Sequence, residues 1–169
     1  AVNETSEGSV FDYVVISPSS VVNMDTENHS VVGLALPAVQ KPKVDSYDPN
    51  ASILVGSSLG NGEQKDVVEA DLTHILAYAK MTVKNVPTDD KIETVEFITE
   101  KDIYGTVLKY NIEDGTVGSD SSIMSVKMDV SSIPQSGESF DVYFTALPTE
   151  FSPGDKFSVK VSTADRLYV

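Results

Sequence analysis

The chain has no cysteine and no tryptophan among its 169 residues, and only two histidines. Without thiols no disulfide framework is available, and a zinc site lacks its soft ligands. A secreted eukaryotic domain of this kind is expected to carry a disulfide or two, so a bacterial surface protein or a cytosolic one fits better. Basic residues are also scarce: 12 Lys and Arg stand against 26 Asp and Glu, for a net charge of −14. That field repels phosphates and argues against nucleic-acid binding. No apolar run is long enough to cross a membrane. There is no Gly-rich phosphate loop and no G-x-S-x-G elbow. No window carries a sustained helical stripe of apolar residues. The best helical candidate, Lys65 to Ala77, is rich in β-branched residues, and its second half reads as strand.

What is present is alternation. In Asp71 to Asn85 (DLTHILAYAKMTVKN), Ile75, Ala77, Ala79, Met81 and Val83 fall on every second position. That is the period of a strand with one buried face. The other face begins with Leu76 and Tyr78 and ends with Lys80, Thr82 and Lys84, so its first half is expected to be covered and its second half wet. A central position in a sheet is the expectation for this strand. The same period recurs at Val95 and Phe97, from Met124 to Val130, from Phe140 to Ala146, and from Phe157 to Val161. Turn signals lie between the runs: Glu113-Asp114-Gly115, Ile133-Pro134-Gln135-Ser136-Gly137 and Ser152-Pro153-Gly154-Asp155. Upstream, Val10 to Ile16 reads as a strand, Val31 to Leu36 as a short apolar element, and Lys41 to Pro49 as part of a loop wrapped along the body. Ile53 to Val55 re-enters the core, and Gly56 to Asp66 reads as a flexible connection. Short strands joined by polar turns predict an all-β sandwich or barrel. A length of 169 residues suits one domain: residues 1–9 as a loose polar segment, residues 10–169 as a single β-sandwich. The chain opens on Ala1, which reads as a processed or excised form.

Few residues point to chemistry. His74 leads into the long strand, where a lone histidine reads as a hydrogen-bonded structural group; His29 reads as exposed in a polar loop. Asp114, Gly115, Ser119, Asp120 and Ser121 could gather oxygens for calcium, but the spacing matches no EF-hand and reads as a solvated acidic loop. Glu96, Glu100 and Asp102 could supply a carboxylate pair for glycoside hydrolysis, and read more simply as the wet face of a strand. Three Asn-x-Ser/Thr sequons, at Asn3, Asn28 and Asn50, matter only in a eukaryotic secretory pathway. Seven tyrosines (13, 47, 78, 104, 110, 143 and 168) are available for sugar stacking, although most are expected in the core or on sheet faces. No residue is assigned as catalytic, cofactor-binding or metal-ligating, and no cofactor is expected.

The order of segments resembles the N-terminal domain of the fimbrillin-like proteins, pilus subunits of Bacteroidales. The matching pieces are the strand ending in Ser17-Pro18, then Leu36-Pro37-x-x-Gln40, Tyr47-Asp48-Pro49, Ile53-Leu54-Val55 and the histidine strand Leu72 to Val83. Ile92 to Phe97, Tyr104-Gly105-Thr106, Leu147-Pro148 and Phe157 to Val161 follow. The histidine strand with Leu-Pro-x-x-Gln upstream is the most telling pair. The resemblance implies a transthyretin-like Greek-key β-sandwich of about seven strands, export to the cell surface, and a non-catalytic structural or adhesive role in fimbriae. The partners it implies are other fimbrial subunits, joined by edge-strand exchange, with the membrane reached only through a lipid anchor outside this chain. Ala1 to Ser9 and Leu167 to Val169 are the candidate exchange segments. A carbohydrate- or host-ligand-binding surface module is the alternative role.

Overall fold

The computed structural model describes residues 13–23, 30–58, 69–86, 90–135 and 139–169. Over these residues the regular structure is β, apart from one 3-10 turn at Ser19–Val21. In chain order the strands are β1 (Tyr13–Ser17), β2 (Val22–Asn23), β3 (Val31–Ala35), β4 (Leu54–Ser58), β5 (Thr73–His74), β6 (Ala77–Lys84) and β7 (Ile92–Thr99). They continue with β8 (Val107–Asn111), β9 (Val117–Ser119), β10 (Ser125–Asp129), β11 (Ser139–Ala146), β12 (Phe157–Thr163) and β13 (Leu167–Tyr168). The division is finer than the expected seven or so, partly because β2, β5, β9 and β13 hold only two or three residues each. The expected strands from Val31, Ile53, Ile92, Met124, Phe140 and Phe157 all appear, shifted by a few residues at their ends, and the one expected from Val10 appears from Tyr13, its first three residues lying outside the described residues.

The ladders are antiparallel and form four sheets, in the orders β1-β4-β5, β2-β3-β8-β9, β10-β7-β12-β13 and β11-β6. All four contribute to one hydrophobic cluster: Val55 from β4, Leu34 and Leu108 from β3 and β8, Val95, Val126 and Met128 from β7 and β10, and Val142 from β11. Each is fully or almost fully buried, which for a side chain of this size stabilises the fold by roughly 1.5–3 kcal/mol. The alternation read from the sequence is the cause. Met128 pairs with Val95 and Val126 with Phe97 on one face, while Lys127 and Glu96 share the other.

The turns behave as their residues dictate. Between β8 and β9, Gly115 takes φ 72°, a left-handed value that suits glycine, and its N–H donates to Asn111 O at 2.9 Å. Asn111 and Asp114 close the same turn by accepting backbone N–H bonds from Glu113 and Thr116. Near Pro153, Gly154 has φ 104° and Asp155 accepts from Ser152 N at 2.6 Å.

One expectation is corrected. The strand from Ala77 to Lys84 is not central: among the described residues β6 pairs only with β11. Its faces are close to the reading. Ala79, Met81 and Val83 pack half-buried against the core and Ile75 is buried, but Ala77 is exposed. Inward-facing β6 residues are half-covered, and among the described residues one flank of the strand has no neighbour.

The segment from Leu36 to Ile53 crosses between sheets. Leu36 N donates to Thr106 O beside β8, and Gln40 exchanges backbone bonds with β10 through Lys127 O and Asp129 N. The carboxamide of Gln40 then reaches β11: Nε2 donates to Thr145 O at 2.8 Å, and Thr145 N donates to Oε1 at 3.0 Å. A buried side-chain amide thus takes the place of a strand between β10 and β11.

Candidate functional site

The outward face of the β6–β11 strand pair carries a cluster of polar and aromatic side chains. Antiparallel register sets Tyr78 opposite Thr145, Lys80 opposite Tyr143, and Thr82 opposite Asp141. Alternation along both strands sends these six to one side. The loop from Tyr47 to Ile53 lies over the Thr145 end, where Thr145 Oγ1 donates to Ala51 O at 2.9 Å. The covered-then-wet gradient expected for this face therefore holds, with Leu76 buried, Tyr78 half-buried and Lys80, Thr82 and Lys84 exposed.

The aromatic rings form a row. His74 and Tyr78 have centroids 4.4 Å apart, Tyr78 and Tyr47 4.5 Å, and Tyr47 and Tyr143 5.4 Å. All three contacts are edge-to-face, the arrangement the ring quadrupole favours. The Tyr78 hydroxyl lies between Ser52 Oγ at 2.8 Å and His74 Nδ1 at 2.6 Å. His74 is thus hydrogen-bonded to a nearby hydroxyl, as a structural histidine should be. Partial burial raises the Tyr78 phenol above its ordinary value, the Ser52 bond opposing.

Lys80 ends the row. Its Nζ lies 6.0 Å from the Tyr143 centroid and 3.0 Å from Asp141 Oδ2, while Thr82 Oγ1 donates to Asp141 Oδ1 at 2.7 Å. The Thr82 and Lys80 bonds hold the Asp141 carboxyl below its usual range. The same carboxylate holds the Lys80 ammonium above its own, with Asp45 adding to the field. Beyond Asp141 lies an open cavity of about 290 Å³ that also touches Asp45 and Ser139.

The other candidates are tied to local structure. Asp114 accepts both the N–H and the hydroxyl of Thr116, Asp120 pairs with Lys109 at 2.9 Å, and Ser119 Oγ donates to Val107 O and Ser121 O. Among the described residues no three His, Asp or Glu side chains gather as a metal site would require. Glu96 accepts from Ser125 Oγ at 2.8 Å on the outer face of β7, and Glu100 and Asp102 are exposed in the turn that follows. Asn50 is exposed beside Asp48, whose Oδ1 accepts its N–H. His29, Asn3, Asn28 and Ala1 to Ser9 lie outside the described residues. Leu167 and Tyr168, expected as an exchange segment, instead pair with β12 as an edge strand. The sequence carried the Tyr78-Lys80-Thr82 and Asp141-Tyr143 alternations, but no signal marked Asp45, Tyr47 or Ser52 as their neighbours.

A second feature lies at the end of β6. An apolar pocket of about 200 Å³ sits between the end of β6 and the β12–β13 edge, lined by Val83, Val86, Ile92, Val161 and Tyr168. At the other end of β12, Phe157 is 71% exposed.

No family model matches the chain, and no curated protein matches it in sequence. Among solved structures it is similar to a protein of Bacteroides ovatus to which a role in cell adhesion has been attributed, with a TM-score of 0.53 over 99% of this chain at 17% identity. The chain spans 61% of the length of that neighbour. At this identity the likeness establishes a shared all-β fold.

Proposed function

We propose that this chain is a non-catalytic structural or adhesive domain of a bacterial cell-surface fimbria, of fimbrillin-like type, and that it assembles by accepting an extended segment from another subunit. The observation that carries this reading is the flank of β6 that no described strand covers. Among the described residues β6 has one ladder partner, so its other edge presents backbone N–H and C=O groups to an incoming strand. Ala79, Met81 and Val83 are half-buried on the inward side of that edge. The pocket beside Val83 is apolar and would receive one side chain of the added strand. The fold shared with the Bacteroides ovatus neighbour agrees with a surface adhesion role.

The test is surface biotinylation of cells carrying the gene, followed by electrophoresis of surface fractions without boiling. A ladder of assembled species is expected in the wild type. Val83→Glu and Tyr168→Ala, which alter the pocket from its two sides, should each weaken the ladder while the purified domains still melt cooperatively. A monomer at the surface, or a protein that stays inside the cell, would overturn the reading.

A further inference from the structure

We propose that the cleft lined by Asp45, Ser139 and Asp141, beside the Tyr47–Tyr143 end of the aromatic row, binds a neutral saccharide. The cleft is lined by the start of β11, on the partnered side of β6, whereas strand addition would use the other edge of β6, so this inference stands apart from strand addition. Its size, about 290 Å³, suits one or two sugar rings.

The lining matches the two chemistries of a sugar. Carboxylates of Asp45 and Asp141 only accept, and so call for hydroxyl donors. Lys80, beside the lining and 3.0 Å from Asp141, can donate. Ser139 can do either. Val44, Pro134 and Phe140 line the remainder and offer apolar surface to the C–H face of a pyranose. Tyr143 stands two residues from Asp141 on the same face of β11, and Tyr47 packs against it at 5.4 Å. Half-buried rings with bonded neighbours are rigid, so ordering them on binding costs little entropy.

The backbone at Asp45 points the same way. Lys43 and Ser46 exchange N–H···O bonds of 3.0 and 3.2 Å around a two-residue turn. Asp45 takes φ 53° there, a conformation that glycine adopts without strain. Aspartate also enters this region, and here its side chain lines the cleft.

Charge selects the ligand within its class. Two carboxylates face one ammonium here, and the whole chain carries −14. Sialylated and sulfated glycans are disfavoured by that field. A divalent cation is disfavoured because Asp141 is already engaged by Lys80 and Thr82, and no third acidic ligand gathers among the described residues.

The experiment is an array of neutral, sialylated and sulfated glycans probed with the purified chain, then calorimetric titration of the strongest binder. Retention of neutral glycans is expected. Asp45→Gly, which keeps the turn and removes the carboxylate, and Asp141→Asn should each weaken binding by about tenfold, the loss of a charge-assisted hydrogen bond. Tyr143→Ala should weaken it similarly. Asp45→Gly should melt no lower than the wild type, which separates binding from folding. Retention of no neutral glycan overturns the proposal. So does retention of anionic glycans alone, a signal abolished by chelator, or unchanged affinity in Asp45→Gly and Asp141→Asn. Loss of glycan binding with surface ladders intact removes this inference alone; the reverse result removes strand addition alone.

Discussion

Gln40 and Thr145 are 105 positions apart in the chain and exchange two hydrogen bonds with neither residue exposed to solvent. The backbone of Gln40 is bonded to β10 and its side chain to β11, so one residue joins the β10-β7-β12-β13 sheet to the β6–β11 sheet. Gln40→Ala leaves the N–H and C=O of Thr145 buried without partners. Each unmet group costs about 1–3 kcal/mol, so a loss of about 2–5 kcal/mol is expected in urea titration. Gln40→Glu keeps the shape but cannot donate to Thr145 O, and should also destabilise.

Gly33 sits in β3 directly against β2. A Cβ there would collide with the backbone carbonyl of Asn23. Backbone cannot rotate away as a side chain can, so Gly33→Ala is expected to cost about 1–3 kcal/mol through overpacking. Gly118, whose Cβ would meet nothing within 4 Å, is the control, and Gly118→Ala should change the urea midpoint little.

Tyr104 gives the protein an alkaline limit. Burial pushes its phenol up to about 12, while its hydroxyl donates to Pro37 O at 2.8 Å. In the unfolded chain the group titrates near 10.0. The folded value is the higher one, so the unfolded state loses its proton first. The stabilisation is complete below pH 10 and is lost as pH rises towards 12. Tyr104→Phe should flatten that part of the stability profile in urea titrations from pH 8 to pH 11, while lowering stability at neutral pH through the lost hydrogen bond.

Asp129 acts in the acid range with the opposite sign. The hydroxyl and N–H of Ser131 bond its carboxylate at 2.6 and 3.0 Å and hold it below the ordinary 3.8. The folded value is the lower one, so the unfolded chain takes up the proton first. The contribution is complete above that ordinary value and lost as pH falls through the folded value. Ser131→Ala removes the largest cause, and NMR titration of Asp129 should show its midpoint rise.

Ala77 and Ala79 separate edge from core on one strand. Ala79 is half-buried opposite Phe144, and Ala77 is exposed opposite Ala146. Ala79→Phe should lower the thermal midpoint through overpacking, an effect of about 1–3 kcal/mol, while Ala77→Phe should be tolerated.

The strands were legible wherever one face is buried, because period-two alternation reports burial directly. Val126 and Met128, or Phe140, Val142 and Phe144, could be placed inward from sequence alone, and are buried. What alternation does not report is which strands are neighbours. That is why β6 reads as central when it has one partner: Leu76 and Tyr78 look like a second covered face, but loop 47–53 covers Tyr78, and no further strand does so among the described residues. Gln40 was hidden for a related reason. A polar residue between Pro37 and Pro42 reads as exposed loop, and only the tertiary fold supplies Thr145 as its partner. The candidate cleft was half legible. Its strand residues follow the alternation, but Asp45 and Tyr47 are brought to it by a turn whose left-handed residue is an aspartate, not the glycine that would have signalled it.

The strap from Leu36 to Gln40 has a length that cannot change. Its first residue is fixed to Thr106 O, its second shares a bond with the Tyr104 hydroxyl, and its last is fixed to Lys127 and Thr145. One residue more would displace the carboxamide by about 3.3 Å, a full strand step, and bring a different side chain between β10 and β11. The spacing of Leu-Pro-x-x-Gln is therefore a ruler between two sheets: insertions that a surface loop of this composition would normally absorb are barred here, and a chain carrying one would have to close its sandwich by other means.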